Sequence, residues 1–186
     1  VAADIAFIAN GFSIAGQGAL AGVQVDEFKA AIPAFSKAEL SINARAASDA
    51  GKLLALLRQS PLQKKYGDTL TNLSTSGPAD ATFNLFLPMH KQAPAKRKMA
   101  GTVTLRGATL ADKRWNLAFS RVTGQADFDD NGFTADKLKV SQQGQPGVLS
   151  LRAGGGVRDA SRSFEAELAA NLSATELLDR APEMAW

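Results

Sequence analysis

Apolar and polar residues alternate along much of this chain, and no other feature limits its fold as strongly. Between Ala38 and Ala46 every second residue is apolar, and the residues between them are polar. This period is typical of a β-strand that buries one face and leaves the other in water. The same alternation recurs at residues 81–87, 101–105, 122–128, 149–153 and 164–170. Such closely spaced strands predict a large antiparallel sheet.

The segment DFDDNGF at residues 127–133 has two interpretations, a calcium loop and a turn. A helix–loop–helix calcium site needs Glu at its twelfth position, where this chain has Leu138. Alternation on both sides indicates strands instead of helices, and the pair Asn131–Gly132 tolerates the positive φ angles of a tight hairpin. We therefore predict a hairpin with the carboxylates as turn formers. A β-bulge is expected near Asp136–Lys137, where the apolar pattern slips by one residue.

Two segments change to helical spacing. Ser48 to Leu62 carries two Leu pairs and has Pro61 near its end, and Ser173 to Ala181 opens with a capping box. Each follows a strand and precedes a Pro, which indicates a weak repeat. The predicted parts are the end of one β unit at residues 1–47, a helical connection at 48–66, the next antiparallel β unit at 80–171 and the start of another helical connection at 173–186.

The 186 residues are sufficient for one domain with its own core, and 45% of them are hydrophobic. A net charge of +3, one Tyr and two Trp offer no stacking platform, so we expect no nucleic-acid partner. No apolar run reaches the roughly 18 residues of a membrane span. Because the chain begins without Met inside an alternating run, we expect a piece of a longer protein.

Residues suited to catalysis are scarce. Cys is absent and His90 is the only His, so neither a Cys–His nor a Ser–His–Asp arrangement is indicated. The carboxylates lie in turns or, like Glu165 and Glu167, on the polar face of a strand, whereas acid–base catalysis needs a dry site. We therefore predict that the chain is not an enzyme and has neither a metal site nor a cofactor.

The predicted helices are too short to cover the apolar face of so large a sheet. The sheet then either closes on itself as a sandwich or barrel, or leaves a groove for an apolar ligand. Many inward positions carry small residues, such as Ala44, Gly101, Gly124 and Ala166, which leave volume for acyl chains. These residues favour a groove, and the alternative is a closed β-sandwich that acts as a structural or protein-interaction module.

A basic connection, HKQAPAKRK, joins two of the predicted strands at residues 90–98. One interpretation is a solvated loop whose charges keep the chain soluble. The other is a cationic tip that faces anionic lipid headgroups, where each cation contributes about 1 kcal/mol. The candidates for contact with headgroups or a membrane are Lys91, Lys96, Arg97 and Lys98.

The run from Trp115 to Leu151, WNLAFSRVTGQADFDDNGFTADKLKVSQQGQPGVLSL, resembles a segment of YhdP-type proteins. In that segment a strand turns at an Asn/Gly corner into an Ala-x-x-Leu element and a Gly-x-Pro turn, matched here by Ala135, Leu138, Gly144 and Pro146. The runs AASDAGKLLALLRQSPL and STSGPADATFNLFLPM resemble the helix and the next strand of the same family. The resemblance covers residues 38–153 and implies an internal fragment.

YhdP-type proteins belong to the AsmA-like group of bridge-like lipid transfer proteins. The resemblance implies a long protein anchored in the inner membrane of a Gram-negative cell, whose sheets curl into a groove that carries phospholipids through the periplasm toward the outer membrane. It thus implies a mainly β fold with a large curved antiparallel sheet, shaped as a groove, and two short helices. Parts of the longer protein outside this chain would contact the membrane, and open sheet edges would allow self-association.

In this hypothesis phospholipid acyl chains slide along apolar side chains of the sheet, and the helix at Ser48–Leu62 covers part of the groove. The predicted lining residues are Phe83, Leu85, Leu87, Val103, Leu105, Val122, Phe128, Leu149, Leu151, Phe164 and Leu168.

Overall fold

A computed structural model of the chain describes residues 2–8, 10–20, 22–59, 62–90, 96–114, 116–159 and 161–170. Strands account for most of these residues, which confirms the mainly β prediction. The strands are β1 (Ala2–Ile8), β2 (Gly11–Leu20), β3 (Val23–Ile32), β4 (Glu39–Asp49), β5 (Leu73–Ser76), β6 (Pro78–Pro88), β7 (Lys98–Asp112), β8 (Leu117–Asp129), β9 (Gly132–Gln142), β10 (Gln145–Gly154) and β11 (Phe164–Ala170). The helices are α1 (Ala50–Gln59) and α2 (Leu62–Asn72).

All eleven strands belong to one open antiparallel sheet, as the alternation predicts. Ten of them follow the order β1-β2-β3-β4-β6-β7-β8-β9-β10-β11, so nearly every strand pairs with its neighbour in sequence. The exception is β5, which pairs with the second half of β7, while β6 pairs with the first half. The helical connection therefore enters and leaves the sheet without interrupting it, because β4 and β6 pair directly.

One face of the sheet is apolar across many strands. Residues directly opposite each other on antiparallel strands point to the same face. The register aligns Ile5 with Ile14, Ile14 with Ala30, Ala30 with Ile42 and Ile42 with Leu85, which connects β1 to β6. We refer to the face that carries this row as the apolar face.

The helices pack on this apolar face. Leu53 lies in a buried cluster with Ala79 and Ala108 of the sheet, and Leu54 lies in a second cluster with Met99 and other residues. The amphipathic spacing of α1 thus directs its Leu side chains onto the strands. The helix predicted within Ser48–Leu62 therefore lies over part of the sheet, and its role as the cover of a lipid groove remains a prediction.

The second helix differs from the prediction. The predicted helical connection ends at residue 66, but a second helix, α2, begins at Leu62 and continues to Asn72. Its helical signal is weak because Gly67 lies in its interior and polar residues dominate it. Burial of Leu70 and Leu73 against Leu54 supplies the tertiary contacts that compensate. The other predicted helix, at residues 173–181, lies outside the described residues.

The predicted hairpin is confirmed, although for a different reason. Phe128 pairs with Phe133, and the Asp129 carboxylate accepts hydrogen bonds from the backbone amides of Asn131 and Gly132 at 2.7 and 3.0 Å. The carboxylate therefore forms the turn, as predicted. Among the described residues with positive φ, neither Asn131 nor Gly132 occurs. Glycine is required instead because a Cβ at position 132 would collide with the carbonyl oxygen of Ala153.

The predicted bulge is also confirmed. Leu138 pairs with Leu149 and Ala135 with Leu151, so β9 has one more residue than β10 in this interval. Lys137 takes up the irregularity with a φ of 56°. Because of the extra residue, Ala135 and Leu138 point to the same face of the sheet although they are three residues apart, and both join the same buried cluster.

Candidate apolar binding face

The apolar face is most exposed at its β1 end. Phe7 and Ile5 of β1 are 81% and 61% exposed, which is high for large apolar side chains. On the neighbouring strands, Phe12, Ile14 and Phe28 are half-buried. The described part of the sheet thus presents apolar side chains to solvent on several adjacent strands. Exposed apolar surface of this kind commonly marks a binding site.

Aromatic side chains extend this surface beyond the strands. The Phe7 and Phe12 rings have centroids 6.5 Å apart, and Phe12 stacks with Phe35 at 6.4 Å. Phe35 lies in the turn after β3, where its backbone amide donates to the carbonyl oxygen of Asn10 at 2.5 Å. This hydrogen bond joins the turn to the start of β2. The apolar surface therefore continues onto one rim of the sheet.

Toward the other end, the helical hairpin covers the apolar face incompletely. A cavity of about 130 Å³ lies between the helices and the sheet. Leu54, Leu57 and Leu70 line it from the helices, and Val103 and Phe128 line it from the strands. The cavity therefore occupies the same face as the exposed strands.

The register places the predicted lining residues together on the apolar face, but with different degrees of burial. A buried cluster of β8, β9 and β10 contains Val122, Leu149 and Leu151, which leaves these three side chains little surface for a ligand. The half-buried members are Phe83, Leu85, Leu87, Val103, Leu105, Phe128, Phe164 and Leu168. Their role as lining residues remains a prediction.

The prediction omits the residues with the most exposed apolar surface. Ile5, Phe12, Ile14 and Phe28 belong to the same face as Ile42 and Leu85 through the strand register. The signal that identifies them is the alternation in residues 2–32, which the sequence interpretation assigned to a separate β unit. These residues are exposed because no helix of the described chain lies above β1 and β2. The alternation of apolar and polar residues does not indicate which strands a helix covers.

The basic candidates lie on the rim that carries Phe35. Arg97 is 3.4 Å from Asp130, whose carboxylate also accepts the backbone amide of Met99 at 2.7 Å. This ion pair partly neutralises Arg97. Lys96 and Lys98 are exposed, and Lys91 lies outside the described residues. Their contact with headgroups or a membrane therefore remains a prediction.

The opposite face of the sheet is polar and is organised by ion pairs. Lys29 is 2.7 Å from Glu27, and its hydrogen bond lowers the pKa of the Glu27 carboxyl. On β10, Arg152 is almost completely buried and pairs with Asp136 at the bulge. The charged side chains of these pairs lie on the polar face, and the row from Ile5 to Leu85 on the apolar face contains no charged side chain.

The described residues contain no cluster of three or more His, Asp or Glu side chains suited to a metal ion. His90 lies on the rim, exposed, with its Nε2 atom 3.2 Å from the carbonyl oxygen of Ser36. Neither helix of the described chain has the length and apolar character needed to cross a membrane.

Comparison with known proteins gives one family. The profile described as "YhdP protein" matches residues 1–185. The "Intermembrane phospholipid transporter YhdP" of Escherichia coli (strain K12) is 26% identical over 144 residues, which are 77% of this chain and 11% of that protein. The chain thus spans about a tenth of the length of this curated relative. No solved structure matches the chain significantly. Because the family profile extends over nearly all of its residues, the chain belongs to the YhdP family.

Proposed function

We propose that this chain is a non-catalytic segment of an envelope lipid-transport bridge, and that its apolar face binds phospholipid acyl chains between the inner and outer membranes of a Gram-negative cell. The name of the E. coli relative, an intermembrane phospholipid transporter, supports phospholipid as the ligand. The observation that carries the proposal is the exposure of Phe7 and Ile5 on a face that remains apolar through Leu85.

Binding follows from the hydrophobic effect. Burial of apolar surface contributes about 25 cal/mol per Å², so an acyl chain laid across these strands is stabilised wherever it lies. Because the row from Ile5 to Leu85 contains only apolar side chains, neighbouring positions bind with similar free energy. An acyl chain can then move across the strands without a large barrier, while its headgroup stays in water. Movement of this kind needs no catalytic residue.

The surroundings of the face suggest where the polar parts of a lipid lie. Lys96 and Lys98 are exposed at the rim, where their charges suit a headgroup phosphate. We place the chain in the periplasm, with membrane contact made by parts of the longer protein outside this chain. Among the described strands, β1 and β11 lie at the two ends of the sheet, where further strands or another copy could pair.

One observation favours a second candidate function for part of the chain. The cluster that contains Val122, Leu138 and Leu149 is buried by its own side chains, as in a closed β-sandwich. Under this alternative the β8–β11 region is a structural or protein-interaction module. It predicts a folded chain that carries no lipid.

The test is native mass spectrometry of the purified chain, combined with lipid extraction from the same sample. We expect phospholipid at a defined stoichiometry in the wild type and its loss in Ile42→Asp, which places a charge on the half-buried part of the apolar face. Asn43→Asp is the matched control, because it adds the same charge to the opposite face of the same strand. Lipid-free wild-type protein, or equal loss in both variants, would contradict the proposal.

Phe128→Asp is less informative for this purpose. Phe128 packs against the cluster that contains Leu54, Leu70 and Met99. A charge at that position disrupts the core as well as a ligand surface. Loss of lipid in that variant therefore needs a parallel measurement of folding by circular dichroism.

A further inference from the structure

The cavity between the helical hairpin and the sheet has features that distinguish it from the exposed strands. We propose that it is a binding site for the end of one linear hydrocarbon chain, so that a lipid on the exposed strands inserts one acyl chain beneath the helices. This inference rests on the proposed function, because the exposed strands deliver the lipid. It adds a defined subsite with room for a single chain.

The lining of the cavity is apolar and offers few hydrogen-bond partners to water or a polar group. Thr75 is the one side chain with a polar atom among the described residues that line the cavity. Its hydroxyl already donates to the carbonyl oxygen of Thr109 at 2.6 Å. A buried water needs about two to four polar partners, which this lining does not offer. A headgroup would likewise lose its hydration without compensation.

The volume limits the occupant to a short length of hydrocarbon. A cavity of about 150 Å³ lined by Leu, Ile and Phe side chains stays dry and binds benzene or xenon. The cavity beneath the hairpin is of similar size, about 130 Å³. It therefore holds a few methylene groups of one chain and has no room for two chains side by side. Without an occupant, Leu54, Leu57 and Leu70 lack dispersion contacts on the side that faces the cavity, and a bound hydrocarbon chain would supply them.

A row of small side chains connects the exposed strands to the cavity. The register aligns Ala46 of β4 with Ala81 of β6, Ala81 with Val103 of β7, and Val103 with Ala126 of β8. Val103 and Ala126 line the cavity. Three of these four side chains are methyl groups, and a chain can enter between this row and α1 if it replaces the contacts that Ala46, Ala81 and Val103 make with the cluster containing Leu53. A chain lying across β3 and β4 then reaches the cavity along this row.

The hairpin is held in position as the cover of this site. The Arg58 guanidinium of α1 donates hydrogen bonds to the carbonyl oxygens of Leu70 and Leu73, which lie at the end of α2 and the start of β5. These bonds fix α2 beside α1 above the cavity. The site is thus a preformed pocket with a fixed cover, which reduces the ordering cost of binding.

The proposal is tested by isotope-filtered nuclear Overhauser spectroscopy on the chain with ¹³C-labelled Leu and Ile methyl groups and unlabelled decanoate as the probe. The Leu methyls report on the cavity through Leu53, Leu54, Leu57 and Leu70, and the Ile methyls report on the exposed strands through Ile5, Ile14 and Ile42. We expect contacts from the terminal methyl of decanoate to the cavity Leu methyls.

Ala126→Leu fills the cavity without removing any existing side chain. We expect it to weaken binding by at least about tenfold, because about two methylene groups lose their buried positions. Ala44→Leu makes the same change on the same face outside the cavity lining, and we expect the cavity contacts to persist. A circular dichroism spectrum checks that each variant is folded.

The outcomes separate the two hypotheses. Contacts to the cavity Leu methyls that disappear in Ala126→Leu and persist in Ala44→Leu support the cavity site. Contacts confined to Ile methyls overturn the cavity site and leave the exposed apolar face as the acyl-chain surface. The absence of contacts to either set contradicts both proposals. If Ala126→Leu does not fold, a decanoate titration of the wild-type chain followed at Leu54, Leu57 and Leu70 replaces it. Saturation of these cavity contacts at one decanoate supports the site, and saturation at two or more overturns it.

Discussion

The Arg58 guanidinium is bound to the carbonyl oxygen of Leu70 through both Nε and Nη2, at 3.0 and 2.9 Å. This contact joins the end of α1 to the last turn of α2, where carbonyl groups lack partners within the helix. A cation at the C-terminal end of a helix is also favoured by the helix dipole. The Arg58 side chain thus helps to hold the second helix beside the first, together with the packing of Leu54 against Leu70 and Leu73.

Replacement of Arg58 by Ala should lower the free energy of unfolding by about 2 kcal/mol, because hydrogen bonds from a charged donor are lost and two carbonyl groups lose a partner. Chemical denaturation followed by circular dichroism measures the change. Arg162→Ala is the comparison, since Arg162 forms an exposed ion pair with Asp159 that should contribute less than about 1 kcal/mol. Equal effects in the two variants would argue against a special role for Arg58.

Asp49 is the N-cap residue just before α1 and should make stability depend on pH. Its carboxylate accepts the backbone amides of Gly77 at 2.6 Å and Gly51 at 2.8 Å, and the first of these chiefly lowers its pKa from the ordinary value of 3.8. A lowered folded-state pKa stabilises the fold above the unfolded pKa, and this contribution is lost as the pH falls through the folded value. Asp49→Asn should therefore reduce the loss of stability below about pH 4.

Asp49→Ala should lower the free energy of unfolding at neutral pH by about 1 kcal/mol, the usual effect of removing a helix N-cap. The measurement is chemical denaturation at neutral pH and below pH 4, with Asp4→Asn on the exposed edge strand as the control. A pH dependence in Asp49→Asn that equals that of the wild type would show that Asp49 is not responsible.

Gly132 and Gly67 should respond in opposite directions to Ala. At Gly132 a Cβ would collide with the backbone carbonyl of Ala153, so Gly132→Ala should destabilise the chain by about 1–3 kcal/mol. At Gly67, inside α2, the nearest atom is the flexible Gln63 side chain at 3.0 Å, so Gly67→Ala should stabilise by up to about 1 kcal/mol. Thermal unfolding compares them, and a shift of the same sign would refute the explanation.

Lys137 should tolerate Gly better than its neighbours do. Its φ of 56° is unfavourable for a residue with a Cβ, and its backbone amide donates to the Ser150 hydroxyl at 3.1 Å in either case. Lys137→Gly should raise the free energy of unfolding by up to about 1 kcal/mol. Lys139→Gly, in the regular part of β9, should lower it by about 0.5–1 kcal/mol. Chemical denaturation of both variants decides whether the bulge stores strain.

The alternation in the sequence was sufficient to predict most of the sheet, because one-sided burial enforces a period of two residues. It predicted neither β5 nor the second half of β7. β5 has only four residues, and the pairing of β7 shifts register around Gly107, whose φ is 82°. A pattern with a constant period does not follow the chain through such an irregularity.

The candidate site was predicted less completely than the fold. Periodicity identifies which side chains share a face, and the prediction of Phe83, Leu85 and Val103 as neighbours on one face agrees with the register. It does not identify what lies above that face. The closed cluster around Val122 and the exposed surface around Phe7 arise from contacts between residues far apart in sequence.

Photo-crosslinking in cells tests the central claim most directly. A photoreactive amino acid replaces Phe28 on the apolar face or its neighbour Lys29 on the polar face, in the protein that contains this chain. The account predicts crosslinks to radiolabelled phospholipid from position 28 and few or none from position 29, because adjacent residues of a strand point to opposite faces. Equal crosslinking from both positions, or none from position 28 in folded protein, would contradict it.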